Sequence, residues 1–273
     1  MKRDIELLEK KAKELRILVL DMIYKAKSGH LGGSYSMMEV LTALYFDEMR
    51  YNPLNPNDPD RDRFVLSKGH TAPALYAVLA EAGFYPKSWL MDSFRCVNAH
   101  LQGHPDMKKT PGVDMTSGSL GIGLSAAGGM ALGGRLQNKD FYVYCMVGDG
   151  EINEGQIWEA ASTASHNKLD KLIAFVDINR LQNDNWTCDV KNMGDIAAKW
   201  EAFGWRVLEI DGHNFSEILQ AIDTAKSTSG KPTVILMHTV KGKGVSFMEN
   251  AVSWHGKTPS EDEYLRARAE LAG

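Results

Sequence analysis

Two short polar sequences each close an apolar run in this chain. Gly148-Asp149-Gly150 follows Phe141 to Val147, and Asp177-Ile178-Asn179 closes the run that begins at Leu172. The Asp149 carboxylate, the Asn179 amide oxygen and a backbone carbonyl form a hard oxygen set, which suits Mg²⁺ or Ca²⁺ bridging to a phosphate rather than zinc. Gly148 and Gly150 let the backbone approach a phosphate, and the helix that follows offers N–H groups and the positive end of its dipole. Taken singly, an Asp between glycines is an ordinary turn residue, and an Asn after a strand often closes one. The joint order of strand, Gly-Asp-Gly, helix, strand and Asn is what points to chemistry.

Histidine gives the second signal. Of eight histidines, His30, His70, His104 and His255 each sit beside a glycine on separate loops. A reaction that takes a proton from one hydroxyl and returns one to another near neutral pH suits imidazole. One such histidine is usually a satisfied loop residue; four are harder to dismiss. His100, His166, His213 and His238 read as structural.

These residues need a frame that brings them to one edge. Ile5, Leu8 and Ala12, then Leu15, Leu18 and Met22, recur at helical spacing until Ser28-Gly29-His30-Leu31-Gly32-Gly33 breaks the run. Ser34 or Ser36 is expected to cap a second helix through Met38, Leu41, Tyr45 and Met49. Asn52 to Asp60 carries three prolines and reads as a loop. From Arg63 onward short apolar runs alternate with helical stretches. Strands are predicted at Phe64–Leu66, Phe141–Val147, Leu172–Ile178, Trp205–Ile210 and Thr233–His238, and helices at about 71–82, 156–165 and around Leu219 and Ile222. This predicts an α/β fold: a mostly parallel sheet with helices on both faces, in one domain over residues 1–273 that includes the helical segment 1–50. Such sheets bind ligands at the carboxyl ends of their strands. Asp149 and Asn179 meet there if their strands are neighbours.

Composition narrows the class. The 273 residues are 44% hydrophobic and 24% charged, which is ordinary globular usage. A net charge of −4 lacks the basic footprint of a nucleic-acid binder. The apolar runs fall far short of the roughly 20 residues a membrane span needs. The N-terminal MKRDIELLEKKAKEL has no apolar core segment and is too acidic for a transit peptide. Cys96, Cys145 and Cys188 form no CxxC pair, so neither a disulfide framework nor a zinc site is expected. A cytoplasmic protein that binds neither nucleic acid nor membrane is the expectation. Gly121-x-Gly123-x-x-Ala126 fits the dinucleotide fingerprint, but Val113 to Ser117 is a weak strand at best, so Gly118 to Gly134 reads as a closely packed helix. Lys241-Gly242-Lys243-Gly244 is expected to be a solvated turn rather than a phosphate contact.

The spacing from Gly-Asp-Gly to Asn179 resembles the thiamine diphosphate signature. Ser28-Gly29-His30, Ser67-Lys68-Gly69-His70, Gly103-His104-Pro105, and Pro111-Gly112-Val113 through Thr116-Ser117-Gly118-Ser119-Leu120-Gly121 extend the resemblance, in order, to the N-terminal domain of transketolase. Asn153-Glu154-Gly155 looks more like transketolase than like deoxyxylulose-5-phosphate synthase, and Trp254-His255-Gly256 matches the last of the family's site histidines. The resemblance spans about residues 10 to 260. It implies a diphosphate-binding (PP-type) domain holding thiamine diphosphate and Mg²⁺ or Ca²⁺. Asp149, Asn179 and the Leu181 carbonyl would be metal ligands. His70, Gly148, Gly150 and His255 would lie at the diphosphate, with Gly118 and Leu120 against the aminopyrimidine. His30, His70, His104 and His255 would line the substrate channel, and Glu154 would join an acidic relay between paired sites.

The family's glutamate that protonates the aminopyrimidine lies in a second domain, and this chain stops at Gly273. The resemblance therefore implies one subunit of a split transketolase. A complementary subunit would carry the pyrimidine-binding and C-terminal domains, the assembly would be α₂β₂, and sugar phosphates would be the substrates. The alternatives are a thiamine-dependent synthase or ketolase acting on other sugars, branched or sulfonated ones included, and a non-catalytic module of the same fold.

Overall fold

The computed structural model describes residues 3–273. The first two residues of the 1–273 domain expected from sequence lie outside the described residues. Five strands form one parallel sheet: β1 (Arg63–Leu66), β2 (Val143–Gly148), β3 (Leu172–Ile178), β4 (Arg206–Asp211) and β5 (Thr233–His238), in the order β1-β2-β3-β5-β4. Side chains alternate across a strand, and the two faces feed two separate cores. Phe64, Tyr144, Met146, Phe175 and Met237 join one, while Val65, Cys145, Val147, Ala174, Val176 and Leu236 join the other. The central β3 is buried along its whole length, which is why it reads as continuous hydrophobicity.

Eleven α-helices surround the sheet among the described residues: α1 (Ile5–Ala26), α2 (Leu31–Ser36), α3 (Met38–Ala43), α4 (Ala72–Glu81), α5 (Ser88–Asp92), α6 (Ile122–Leu136), α7 (Gly155–His166), α8 (Thr187–Lys191), α9 (Ile196–Ala202), α10 (Phe215–Lys226) and α11 (Glu261–Ala272). None is long and apolar enough to cross a membrane. Helix α11 starts with a capping box, Ser260 bonding the Glu263 N–H while Glu263 returns to the Ser260 N–H.

The sequence expectation fails at one helix start. Neither Ser34 nor Ser36 caps a helix; both lie inside α2, which begins directly after His30. Ser34 Oγ donates to the His30 carbonyl at 2.6 Å, and Ser36 Oγ donates to Asp177 at 2.6 Å. Gly32 and Gly33 look like breakers but serve packing. A Cβ on Gly32 would stand 2.9 Å from the Lys241 side chain, and one on Gly33 2.9 Å from Thr71. The expected run on to Met49 passes through α3 and then widens into a π-turn at Leu44–Glu48. Residues 113–117 form no strand, so the dinucleotide fingerprint has no strand to follow; the helix expected from Gly118 begins only at Ile122, with Gly121 as its N-cap in the left-handed conformation.

Candidate active site

In the register of β2 and β3, Gly148 stands opposite Asp177, so Asp149 and Asn179 leave adjacent strand ends. Their loops are tied together. Asp149 accepts the Gly150 N–H at 2.8 Å on one carboxylate oxygen and the Arg180 N–H at 2.6 Å on the other. The Asn179 Nδ2 donates to Asp177 at 3.0 Å, which leaves its Oδ1 to accept the Leu181 N–H at 3.1 Å. That bond to Asp177 decides which end of the amide faces outward. The Leu181 carbonyl in turn accepts from Lys241 Nζ at 2.8 Å.

Beneath these loops Asp177 is wholly buried, yet it lies in an apolar strand. A carboxylate there needs charged and hydrogen-bonding partners. It finds Lys68, Ser36, Thr239 and Asn179. Burial pushes its carboxyl up, but the charge of Lys68 and bonds from Lys68, Ser36 and Thr239 together bring it below the ordinary value. Asp149 lacks such a cation in direct contact. Burial first, and the Asp177 charge second, raise it to about 7. A divalent cation would restore the charged form, since metal ligands bind deprotonated.

Lys241 corrects the expectation of a solvated turn. It is 2% exposed, and burial pulls its ammonium down to about 8. The turn lies under α2, with the Gly242 N–H donating to the Gly32 carbonyl at 3.1 Å. Its Nζ reaches the Leu181 carbonyl and, at 2.7 Å, His255 Nδ1. Sequence reasoning also gave no role to Lys68, Asp177 or Glu151. Glu151 is buried and accepts from Ser67, from the Gly121 N–H at 2.8 Å and from the Gly148 N–H at 3.0 Å, pinning the Gly-Asp-Gly turn to the segment before α6. An aspartate inside an all-apolar strand was the available signal, because it demands a buried cation.

Three of the histidines form a triangle. His30 and His70 ring centroids are 5.2 Å apart, His30 and His255 5.5 Å, and His70 and His255 5.4 Å. Burial is the leading cause that lowers all three, His30 to about 4, His255 to about 3 and His70 to about 2. They are neutral imidazoles at physiological pH. His104 is also lowered, by burial and then by Arg95, and its ring lies 3.6 Å from where a Gly118 Cβ would stand.

A cavity of about 470 Å³ brings together His70, Leu120, Gly148, Asp149, Gly150, Glu154, Asn179, Leu181 and His255 with Lys68 and Lys241. His30, His104 and Gly118 do not line it; His30 joins through the histidine triangle. Glu154 is exposed on its rim, just ahead of α7. His100, His166, His213 and His238 stand outside it. His213 also follows a glycine, but it bridges Glu39 at 3.0 Å and the Val240 N–H at 2.9 Å.

The donor chemistry fits a metal-bound diphosphate. The oxygen trio holds one carboxylate, and no group of three or more His, Cys, Asp or Glu that could hold a metal occurs among the described residues. A zinc-type cage is not built here, whereas a hard cation completed by phosphate oxygens matches this set. Lys68, Lys191 and Lys241 are the lysines of the lining, Lys68 paired with Asp177. Buried atoms of the lining with no protein partner, Asn153 Oδ1 and Gln182 Nε2, remain for a ligand.

Comparison with known proteins agrees with this chemistry. The family model for the transketolase thiamine diphosphate binding domain matches residues 8–272. The 6-deoxy-6-sulfo-D-fructose transketolase subunit SqwG of Clostridium sp. (strain MSTE9) is 48% identical over 264 residues, covering 97% of this chain and 96% of the relative. An apulose-4-phosphate transketolase subunit from Phocaeicola vulgatus is 41% identical over 268 residues, covering 98% of this chain and 95% of the relative. The transketolase structure from Campylobacter jejuni superposes with a TM-score of 0.93 at 32% identity, covering 99% of this chain but 43% of that one.

Proposed function

This chain belongs to the transketolase family, and on that premise we propose that it is the N-terminal, diphosphate-binding subunit of a two-chain transketolase. With a complementary subunit bearing the pyrimidine-binding and C-terminal domains, it transfers a two-carbon ketol unit from a ketose phosphate to an aldose phosphate. The observation that carries this is the meeting of Asp149, Asn179 and the Leu181 carbonyl with Lys68, Lys241 and the histidine triangle at one sheet edge. The relatives named as transketolase subunits, matched along nearly their whole length, support the two-chain organisation.

Bound thiamine diphosphate supplies a carbon that accepts and releases the ketol unit as a stabilised carbanion equivalent. The protein's share is binding and proton handling. Asp149, Asn179 and the Leu181 carbonyl hold Mg²⁺ or Ca²⁺. Lys68, Lys241, His70, His255 and the Gly148 to Gly150 backbone hold the diphosphate, and Gly118 and Leu120 lie against the pyrimidine. His30 and His104, with His70 and His255, face the sugar hydroxyls. As neutral imidazoles His30, His70 and His104 donate at one nitrogen and accept at the other, so they take a hydroxyl proton without first losing one of their own; His255, whose Nδ1 accepts from Lys241, turns an Nε2–H donor toward the sugar. Glu154, exposed at the rim, reaches toward the paired site in an α₂β₂ assembly. We place the assembly in the cytoplasm.

Calorimetry on the two-chain complex tests the site. Asp149→Ala should abolish metal-dependent thiamine diphosphate binding, and unchanged cofactor affinity would remove the metal assignment. Mixing tests the split: the chain alone should transfer no ketol, and its partner should restore transfer. Robust turnover by the lone chain overturns the two-chain reading.

A further inference from the structure

We propose that His213 is a positioning residue for the cofactor site: its ring, set by Glu39, holds the Val240 N–H and through it keeps Lys241 against the Leu181 carbonyl and His255. This rests on the reading above that Leu181 and His255 serve a metal-bound thiamine diphosphate. His213 does not line that cavity, so it acts only through the turn it holds.

Lys241 needs holding. Its buried ammonium bonds a carbonyl and an imidazole rather than a carboxylate. A charge so placed is costly, and the segment that carries it must be fixed by other bonds. The Thr239 N–H donates to the Ile178 carbonyl at 3.2 Å, and the Gly242 N–H to the Gly32 carbonyl at 3.1 Å. The Lys241 carbonyl accepts the Asn250 N–H at 2.9 Å. Directly before Lys241, the Val240 N–H donates to His213 Nε2 at 2.9 Å. Of these tethers it is the one made by a side chain, so substitution can cut it while the backbone of the turn stays the same.

The histidine is itself set. A backbone N–H can only donate, so Nε2 carries no hydrogen and the ring's N–H is at Nδ1. There it faces Glu39 Oε2 at 3.0 Å, an oxygen that also accepts from Arg16 Nη2 at 2.7 Å. Burial pushes the Glu39 carboxyl up, but the Arg16 charge and the bonds from His213 and Arg16 outweigh it and bring it down to about 2. Glu39 is therefore a charged acceptor at physiological pH and fixes the tautomer that Val240 requires. Arg16 is anchored in turn on the Tyr35 carbonyl at 2.8 Å. The bonds run from α1 and α3, through the loop between β4 and α10, to the turn after β5. A purely structural role would load Nδ1, which joins His213 to the Arg16–Glu39 pair. A positioning role loads Nε2.

Two substitutions separate the nitrogens. His213→Gln keeps an acceptor where Nε2 stands. His213→Asn keeps a donor toward Glu39 where Nδ1 stands but is too short to reach Val240. In the two-chain complex with Mg²⁺, calorimetry should give His213→Gln a thiamine diphosphate Kd near the native one. His213→Asn should bind about 10-fold more weakly, the scale expected when a hydrogen-bond partner behind a metal ligand is lost. In the cofactor-free full chain, the nitrogen NMR signal of His255 Nδ1, which accepts from Lys241, should hold in His213→Gln and move in His213→Asn. Native affinity in His213→Asn overturns the proposal, as does a His255 signal that ignores this substitution. Equal loss of affinity in both variants, with a matching fall in the unfolding midpoint, makes His213 only structural and overturns it too. If the native complex binds no thiamine diphosphate, the cofactor reading fails, and the His255 signal still judges whether His213 holds Lys241.

Discussion

Below the cleft, Asp177 is saturated: Lys68, Ser36, Thr239 and Asn179 all bond its two oxygens. Around the mouth the opposite holds. His30 Nδ1, Arg95 Nε, Ser117 Oγ, Asn153 Oδ1 and Gln182 Nε2 are buried and have no partner. Four further unpartnered atoms, on Arg16, Tyr144, Trp200 and Thr233, lie elsewhere. Folding this chain by itself completes the floor but leaves the mouth polar and unpaired, and buried polar atoms are rarely left so without a purpose. The difference teaches a division of labour. The floor is closed by its own bonds, so its loss should be a loss of fold; on the function proposed above the mouth is completed by a ligand, so its loss should be a loss of function.

The largest effect should come from breaking the floor. Lys68→Met leaves Asp177 buried without its cation, and removing one member of such a pair costs about 3–5 kcal/mol. Denaturant unfolding should show it, and adding Asp177→Leu should recover much of the loss, because an apolar pair of similar volume often replaces a buried ion pair. A single-variant cost near that of a surface pair would mean the floor is not the unit described.

The mouth should respond in the other currency. His30→Ala removes an imidazole whose Nδ1 has no partner, so little stability goes with it. Ketol transfer by the two-chain complex should fall about 10²–10⁴-fold if the imidazole moves a proton. A large drop in the unfolding midpoint with modest loss of turnover would reverse the comparison.

The floor and mouth were not equally legible in the sequence. Asp149 and Asn179 stood out because glycines and a polar residue interrupt strands that are otherwise apolar throughout, and the observed register of β2 and β3 puts them side by side. The histidines stood out by their glycine neighbours. Lys241 did not, because a Gly-Lys alternation reads as solvated by composition. What buries it are contacts with Gly32 and Leu181, far off in sequence. The same cause hid α2: two glycines signal a break locally, and only packing against Lys241 and Thr71 explains them as helical.

Gly123 joins the two regions and should give an intermediate effect. A Cβ there would collide with the Ser67 Cβ and Oγ, so Gly123→Ala must push α6 from the end of β1. Overpacking of this kind costs about 1–3 kcal/mol. Because α6 carries the Leu120–Gly121 segment at its start, hydrogen exchange should quicken at residues 118–122 while Asp177's neighbours stay protected. Equal loss of protection at both would show that floor and mouth do not open separately.

The mildest test uses pH, and its sign follows from which state binds more protons. Unfolded, the imidazoles of His30, His70 and His255 take a proton near pH 6.5. Folded, burial holds them to about 4, 2 and 3. Between those limits the unfolded chain binds more protons, so these groups stabilise the fold above about pH 6.5 and lose that contribution as pH falls toward 4. Asp149 acts in the opposite sense. Its folded value of about 7 lies above that of a free carboxyl, so the folded state takes up a proton first as pH drops through 7. Three imidazoles outweigh one carboxyl, and stability of the cofactor-free chain should fall from pH 7 to pH 5. Asp177, held below the ordinary carboxylate value, should contribute to acid loss only at lower pH, so the two regions separate along the pH axis. His255→Asn takes one proton out of the difference. The slope of unfolding free energy against pH should then flatten by about 1.4 kcal/mol per unit at most. A slope indifferent to that substitution would mean His255 is not held neutral by burial, and the contrast between a finished floor and a waiting mouth would rest on hydrogen bonding alone.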